Sequence, residues 1–325
     1  MRVLITGATG FVGSHLVTAL AERGTEIRAI VRRTSRTEQL EAMGAELIEG
    51  GLEDHDALRS GVEGVDLVFH LAALTSARSE EEYFETNLGG TRRLLEAIRE
   101  ANEKPRRLIF LSSLAAVGPS SDGRPVTSTA PCRPITTYGR SKLAAEEACL
   151  AAESIIETVV LRPPAVYGPR DREILRFFRL AKMGVLPIPT GPGRSLQLVH
   201  VRDLAEAAVY AASTPEARGV YHIAEPRAYQ WEEVAELFGR ALARRVRILR
   251  VPGALITTAA MISETTARMM GGSTVFNREK ARELLAPSWL CETDRMSEEI
   301  GFTPQISLAE GLAETAAWYR AEGWL

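Results

Sequence analysis

Cysteine is scarce. Three thiols, Cys132, Cys149 and Cys291, are scattered through 325 residues, too few and too far apart for a disulfide framework or a zinc cluster. They read as free thiols in a reducing compartment. Aromatic residues make up only 6%, and neither sign of charge prevails: 39 basic against 42 acidic side chains leave −3. No nucleic-acid partner is expected, because no basic excess is present to recruit one. The five histidines, at 15, 55, 70, 200 and 222, show no metal-ligand spacing, so no metal is expected. Long apolar runs are missing too. The longest outside the N-terminus, Val251 to Met261, falls short of the roughly 20 residues that span a bilayer. The opening MRVLITGATGFVG is broken by glycine before it reaches the length of a signal-peptide core. A cytoplasmic protein without an integral membrane segment is the expectation. With 45% apolar and 25% charged residues, the chain has an ordinary globular composition.

What is present is a rhythm. Apolar runs at Arg2–Thr6, Glu26–Val31, Ala45–Glu49, Asp66–Leu71, Arg107–Ser112 and Thr158–Arg162 read as buried parallel strands. Helical patterns separate them, among them Val12–Glu22, Glu80–Glu103 and Thr137–Glu153. Strands alternating with helices predict a doubly wound parallel α/β sheet. Beyond Arg162 six prolines, from Pro163 to Pro192, suggest loops rather than further core strands, and Gly191–Gly193 reads as a turn. Leu196–Val201 and Gly219–Ile223 still look like sheet, and helices are expected at Val201–Ser213, Trp231–Ala243, Gly253–Met270, Arg278–Leu285 and Leu308–Glu322.

Three sequence features carry chemistry. Gly7, Thr9, Gly10, Phe11, Val12 and Gly13 lie in a GxxGxxG loop between the first strand and the first helix. Glycines there let the backbone approach a pyrophosphate, and the helix N-terminus offers amide donors and the positive end of its dipole. The second strand runs into Arg32-Arg33 with no acid before Glu38. A carboxylate would repel a ribose 2′-phosphate, whereas Arg32 can bind one as a fork, so NADP(H) is preferred, with NAD(H) as the alternative. The third feature is Tyr138 and Lys142, four apart and so on one helix face, with Ser112-Ser113 at the end of an upstream strand. An ammonium beside a tyrosine favours the phenolate, and a serine hydroxyl can hold a substrate oxygen nearby.

With these motifs the chain resembles the extended short-chain dehydrogenase/reductases, which include NAD-dependent epimerases/dehydratases, 3β-hydroxysteroid dehydrogenases and dihydroflavonol reductases. The resemblance runs through TGATGFVG (6–13), FHLAA (69–73), TNLGGT (86–91), SSLAAVGP (112–119), YGRSK (138–142), LRPPAVYGP (161–169) and LVHVRD (198–203). It implies a Rossmann domain over residues 1–165 and a mixed substrate-binding region over 166–325, which returns in part to the core sheet at 196–223 and otherwise forms a small C-terminal lid. It implies a catalytic set of Ser113, Tyr138 and Lys142, with Tyr138 as acid/base and Lys142 on the nicotinamide ribose. Leu52, Leu71, Ala72, Ala73, Pro163 and Val166 would line the cofactor, Asn87 would support the site, and a homodimer through the two long helices is implied by analogy.

Departures from the pattern steer the substrate. Sugar epimerases carry Asn where this chain has Ala165, and Arg where it has Leu196; the acid of their GDL segment is absent from Gly50-Gly51-Leu52. The lid sequence, from Val251 to Met270, is rich in aliphatics and methionine. The leading expectation is therefore an NAD(P)-dependent oxidoreductase that interconverts a ketone and a secondary alcohol on a fairly apolar small molecule. A nucleotide-sugar 4-epimerase or dehydratase with bound NAD is the alternative enzyme, and a dinucleotide-sensing binding protein the non-enzymatic one.

Overall fold

The computed structural model describes residues 1–120, 122–191, 194–270, 274 and 276–325. The turn expected at Gly191–Gly193 lies mostly outside them.

Each early apolar run became a strand: β1 (Arg2–Thr6), β2 (Glu26–Val31), β3 (Glu46–Glu49), β4 (Leu67–His70), β5 (Arg107–Leu111) and β6 (Glu157–Arg162). Four more strands follow, β7 (Ala165–Tyr167), β8 (Val185–Pro189), β9 (Ser195–Leu196) and β10 (Leu198–His200), and then β11 (Gly219–His222). Strand β11 joins the first six in one seven-stranded sheet of order β11-β6-β5-β4-β1-β2-β3, with every pairing parallel. The central strands are buried on both faces, which is why they read as continuous rather than alternating apolar runs.

Helices cover both faces. On one side α1 (Phe11–Ala21) and the later Val201–Ser213 share an apolar layer with β1, β2 and β4. After α2 (Glu38–Ala42), the helices α3 (His55–Val62), α4 (Glu80–Phe84), α5 (Gly90–Glu100) and α6 (Thr137–Ala151) follow; α3, α5 and α6 pack on the opposite face. The predicted helix Glu80–Glu103 is α4 and α5 joined by a wide π-type turn, Glu85–Gly89. Local chemistry sets the starts: Asp54 caps α3 through the Ala57 amide at 3.0 Å, and Thr136 caps α6 through Gly139 at 3.1 Å.

Past β6 come α7 (Ile174–Lys182), α8 (Val201–Ser213, the helix beside α1), α9 (Trp231–Ala241), α10 (Gly253–Met269), α11 (Arg278–Leu285) and α12 (Leu308–Ala321), and a separate apolar layer draws on α7, α9 and α12. Prolines did not exclude strands here. Pro187 and Pro189 sit in β8, which pairs in parallel with one further strand, Arg247–Val251, and a two-stranded edge tolerates proline where a central strand does not. Likewise β9 and β10 pair outside the central sheet.

The strand order reverses between β1 and β4, a topological switch point. Ligands of open α/β sheets bind in the crevice at the carboxyl ends there.

Candidate active site

The glycine loop lies at that switch point. Gly7 has φ +78°, and a Cβ on it would come within 2.7 Å of the Ala72 amide nitrogen; one on Gly13 would come within 2.1 Å of the Gly7 carbonyl oxygen. The loop is therefore bare backbone wrapped tightly against β4's extension. Gly10 provides no side-chain cap for α1, which leaves the first-turn amides of Phe11, Val12 and Gly13 without helix partners. This concave, donor-rich surface fits a dinucleotide pyrophosphate. Leu71, Ala72 and Ala73 continue from β4 beside it, with the Leu71 amide on the Thr6 carbonyl at 3.1 Å. Leu52 is buried after β3, Pro163 is buried after β6 and Val166 is half-buried. Arg32 is exposed at the end of β2.

The second half of the crevice is built by α6. Gly139 allows that helix to approach very closely, since a Cβ there would sit 2.3 Å from the Ala115 carbonyl oxygen. Close docking brings Tyr138 against Ser113. The two adjacent serines have different partners: Ser112 donates to the buried Glu146 carboxylate at 2.8 Å, while Ser113 accepts from the Ala115 amide at 3.1 Å and interacts with the Tyr138 phenol. Burial, reinforced by the Glu283 charge, holds the phenol well above its ordinary range, and the Ser113 hydrogen bond opposes that shift. The neutral, proton-bearing form is thus the stable one.

Lys142 is buried one turn on. Its Nζ donates to the Leu111 carbonyl at 2.6 Å and lies 4.2 Å from the Phe110 ring centroid. Burial lowers its amine to about 8, with Cys149 and Glu146 acting in the opposite sense. Lys142 therefore stays cationic at neutral pH, at a cost. The shift corresponds to about 3 kcal/mol of unfavourable charge burial, and the Leu111 hydrogen bond returns about 1 kcal/mol. Between about pH 8 and the unfolded value near 10.4 the unfolded chain holds more protons, so this group's contribution to stability rises with pH across that window. Lys142→Met should accordingly be about 2 kcal/mol more stable than the parent at pH 7, with the gain fading towards pH 10.5. Urea unfolding at both pH values checks this; a less stable variant at pH 7 refutes it.

Asn87 stands in the π-type turn, buried. Its Oδ1 accepts from the Leu74 amide at 2.8 Å, and its Nδ2 donates to the Leu74 carbonyl at 3.2 Å and to Ser141 Oγ at 2.8 Å. One side chain thus joins the β4 extension to the helix carrying Tyr138 and Lys142. Such π-type turns recur at functional sites. His70 is structural: it bridges Thr6 at 2.7 Å and Thr91 at 2.9 Å, and burial lowers it to about 3. Cys149 is inert, its thiol pushed up to about 12 by burial. All three cysteines are free, and the described residues hold no cluster fit for a metal.

One wall of the site was not legible in the sequence. Glu279 on α11 accepts from the Thr137 amide and hydroxyl, both at 2.7 Å, and so caps α6, the helix of Tyr138 and Lys142, from 142 residues away. Its neighbour Lys280 pairs with Glu283 at 3.1 Å. Burial pulls the Lys280 amine down, but Glu283, Glu173 and Asp171 outweigh it and hold it above its ordinary range. Asp171 itself is raised to about 7 by burial. No short motif announces such a contact, because only the folded chain brings α11 onto α6.

The family model for the NAD dependent epimerase/dehydratase family matches residues 3–224. The chain belongs to that family. Among this family member's curated relatives, it is 35% identical to the ceramide reductase of Caulobacter vibrioides, over 99% of this chain and 96% of the relative. It is 28% identical, over 96% and 95%, to the 4-hydroxy-2-methyl-3-oxo-4-farnesyl-3,4-dihydroquinoline-1-oxide ketoreductase of Stigmatella aurantiaca. Among solved structures, MoeE5 in complex with UDP-glucuronic acid and NAD superposes with a TM-score of 0.78 at 27% identity, covering 99% of this chain and 100% of that one. The resemblance to reductases of the extended short-chain type and the Rossmann-like architecture both stand on these matches.

Proposed function

We propose that this family member is a reductase that converts a ketone on a largely apolar molecule to the secondary alcohol, using NADPH. The observation that carries the reading is Tyr138, half-buried beside the Ser113 hydroxyl at the carboxyl edge of the sheet, where its desolvated phenol keeps its proton. Bound nicotinamide supplies the hydride. Ser113 holds the carbonyl oxygen, Tyr138 gives it a proton as the alcohol forms, and Lys142 provides a fixed positive charge beneath the site. Residues 1–165 would bind the cofactor and 166–325 the substrate. The names of two relatives, a ceramide reductase and a ketoreductase, agree with this chemistry.

The nucleotide-sugar alternative draws on the likeness to MoeE5. Against it, Ala165 has no polar side-chain atom, and Leu196 is buried within the apolar C-terminal layer, so two contacts to an anionic substrate are missing. A panel of apolar ketones and UDP-sugars, tried with both nicotinamide cofactors, tests the choice. Epimerisation of a UDP-sugar without net cofactor turnover would replace the reductase reading, and tight cofactor binding with no turnover at all would favour a sensor.

The cofactor preference rests on Arg32, exposed where a carboxylate would otherwise meet the ribose. We expect NADPH to bind at least about ten-fold more tightly than NADH, with Arg32→Ala abolishing the difference. Fluorescence titration of the two cofactors measures it; tighter NADH binding would sink the preference.

A further inference from the structure

We propose that α10, together with the strand that precedes it, is a docking face for an anionic lipid surface, from which the substrate reaches Tyr138. The sequence GALITTAAMISETTARM of α10 carries no charge from Gly253 to Ser263. A lid helix packed over substrate or core would hide its aliphatics, yet here the large ones face solvent. Leu255 is 60% exposed, Ile262 60% and Met269 84%; these, with Met261 and Met270, are half of the large apolar side chains exposed among the described residues. Patches of this kind mark interaction sites.

A second observation identifies the medium. The hydroxyls of Thr257, Thr265 and Thr266 donate back to carbonyls of their own helix, at 3.0, 2.8 and 2.9 Å. Polar atoms satisfied within the helix cost little to remove from water. The acid Glu264 is neutralised by Arg278 at 2.9 Å. Three of the four threonine hydroxyls of the helix, and its one acid, thus have partners within the protein when the helix meets a headgroup–acyl boundary.

The third observation is charge. The strand Arg247–Val251 leads directly into α10, and Arg244, Arg245, Arg247 and Arg250 precede the helix, all exposed. Arg250 pairs with Glu232, whereas Arg245 and Arg247 make no ion pair among the described residues. Leu249, 57% exposed, stands between Arg247 and Arg250. Basic residues beside an apolar helix face match a surface of anionic lipid. The near-neutral total charge concealed this local cluster. No helix among the described residues is long and apolar enough to cross a membrane, so the arrangement lies on a bilayer rather than through it.

Position gives the face a purpose. Helix α10 is tied to α11 through Glu264 and Arg278, and α11 caps the catalytic helix through Glu279 and Thr137. This purpose rests on the apolar-substrate reading above; the lipid docking itself does not.

The test is co-sedimentation of the full chain with vesicles of phosphatidylcholine containing phosphatidylglycerol, and with pure phosphatidylcholine vesicles. We expect binding to the anionic vesicles that weakens in high salt. Met261→Glu with Ile262→Glu should weaken it at least about ten-fold, as should Arg245→Glu with Arg247→Glu. Unchanged NADPH affinity shows that the variants are folded. Absence of wild-type binding to anionic vesicles overturns the proposal, as does retention of binding by both double variants. A dimer in light scattering that Met261→Glu with Ile262→Glu dissociates, without vesicle binding, assigns the face to a second copy instead and also overturns it. Turnover of a water-soluble ketone without vesicles reports separately on the reductase reading, so the two can fail independently.

Discussion

Replacing Tyr138 with Phe is expected to lower kcat for ketone reduction by about 10²–10⁴-fold, the usual contribution of a positioned proton donor, while leaving cofactor affinity unchanged. The ring remains, so the packing against Tyr83, with centroids 6.2 Å apart, survives; only the proton and its Ser113 contact are lost. Burial holds the phenol in its protonated form, the form that the proposed ketone reduction would draw on. Stopped-flow or steady-state NADPH oxidation, alongside a cofactor titration, reads both quantities. A variant that turns over normally refutes the assigned role of Tyr138.

The second large effect concerns stability. Arg162, at the end of β6, reaches α6 through a buried pair: its Nε meets Glu146 Oε2 at 3.0 Å, and its Nη2 also contacts that carboxylate. Both side chains are almost fully buried. Removing one partner leaves the other charge uncompensated in a dry interior, so Arg162→Met should cost about 3–5 kcal/mol in urea unfolding. Ser112, which donates to the same carboxylate, cannot compensate a full charge. The double variant Arg162→Met with Glu146→Leu should recover most of that loss, since an apolar pair of similar size avoids the desolvation penalty. A single-variant cost below about 1 kcal/mol would show the pair to be unimportant. The consequence reaches the chemistry, because Glu146 shares α6 with Tyr138 and Lys142.

Much of this molecule was legible one residue at a time. The six early strands were readable because strands buried on both faces must be apolar throughout. The glycine loop was readable because only bare backbone fits where Gly7 meets Ala72 and Gly13 meets the loop carbonyl. Tyr138 and Lys142 were readable because helical spacing alone puts them on one face. Elsewhere local signals misled or fell silent. Prolines at 187 and 189 suggested loops, but they lie in a two-stranded edge where the missing amides cost nothing. The aliphatics of α10 suggested a covered lid, whereas most of the large ones face solvent.

By itself, the sequence determined the parallel sheet, the glycine loop at its switch point and the tyrosine–lysine pair, since each depends on neighbours within a few residues. Only the tertiary structure decided that Glu279 caps α6 across 142 residues, that burial rather than Lys142 governs the tyrosine's proton, and which faces of the C-terminal helices remain open. Those outcomes depend on dielectric environment and on contacts between segments distant in the chain, and neither exists until the chain has packed.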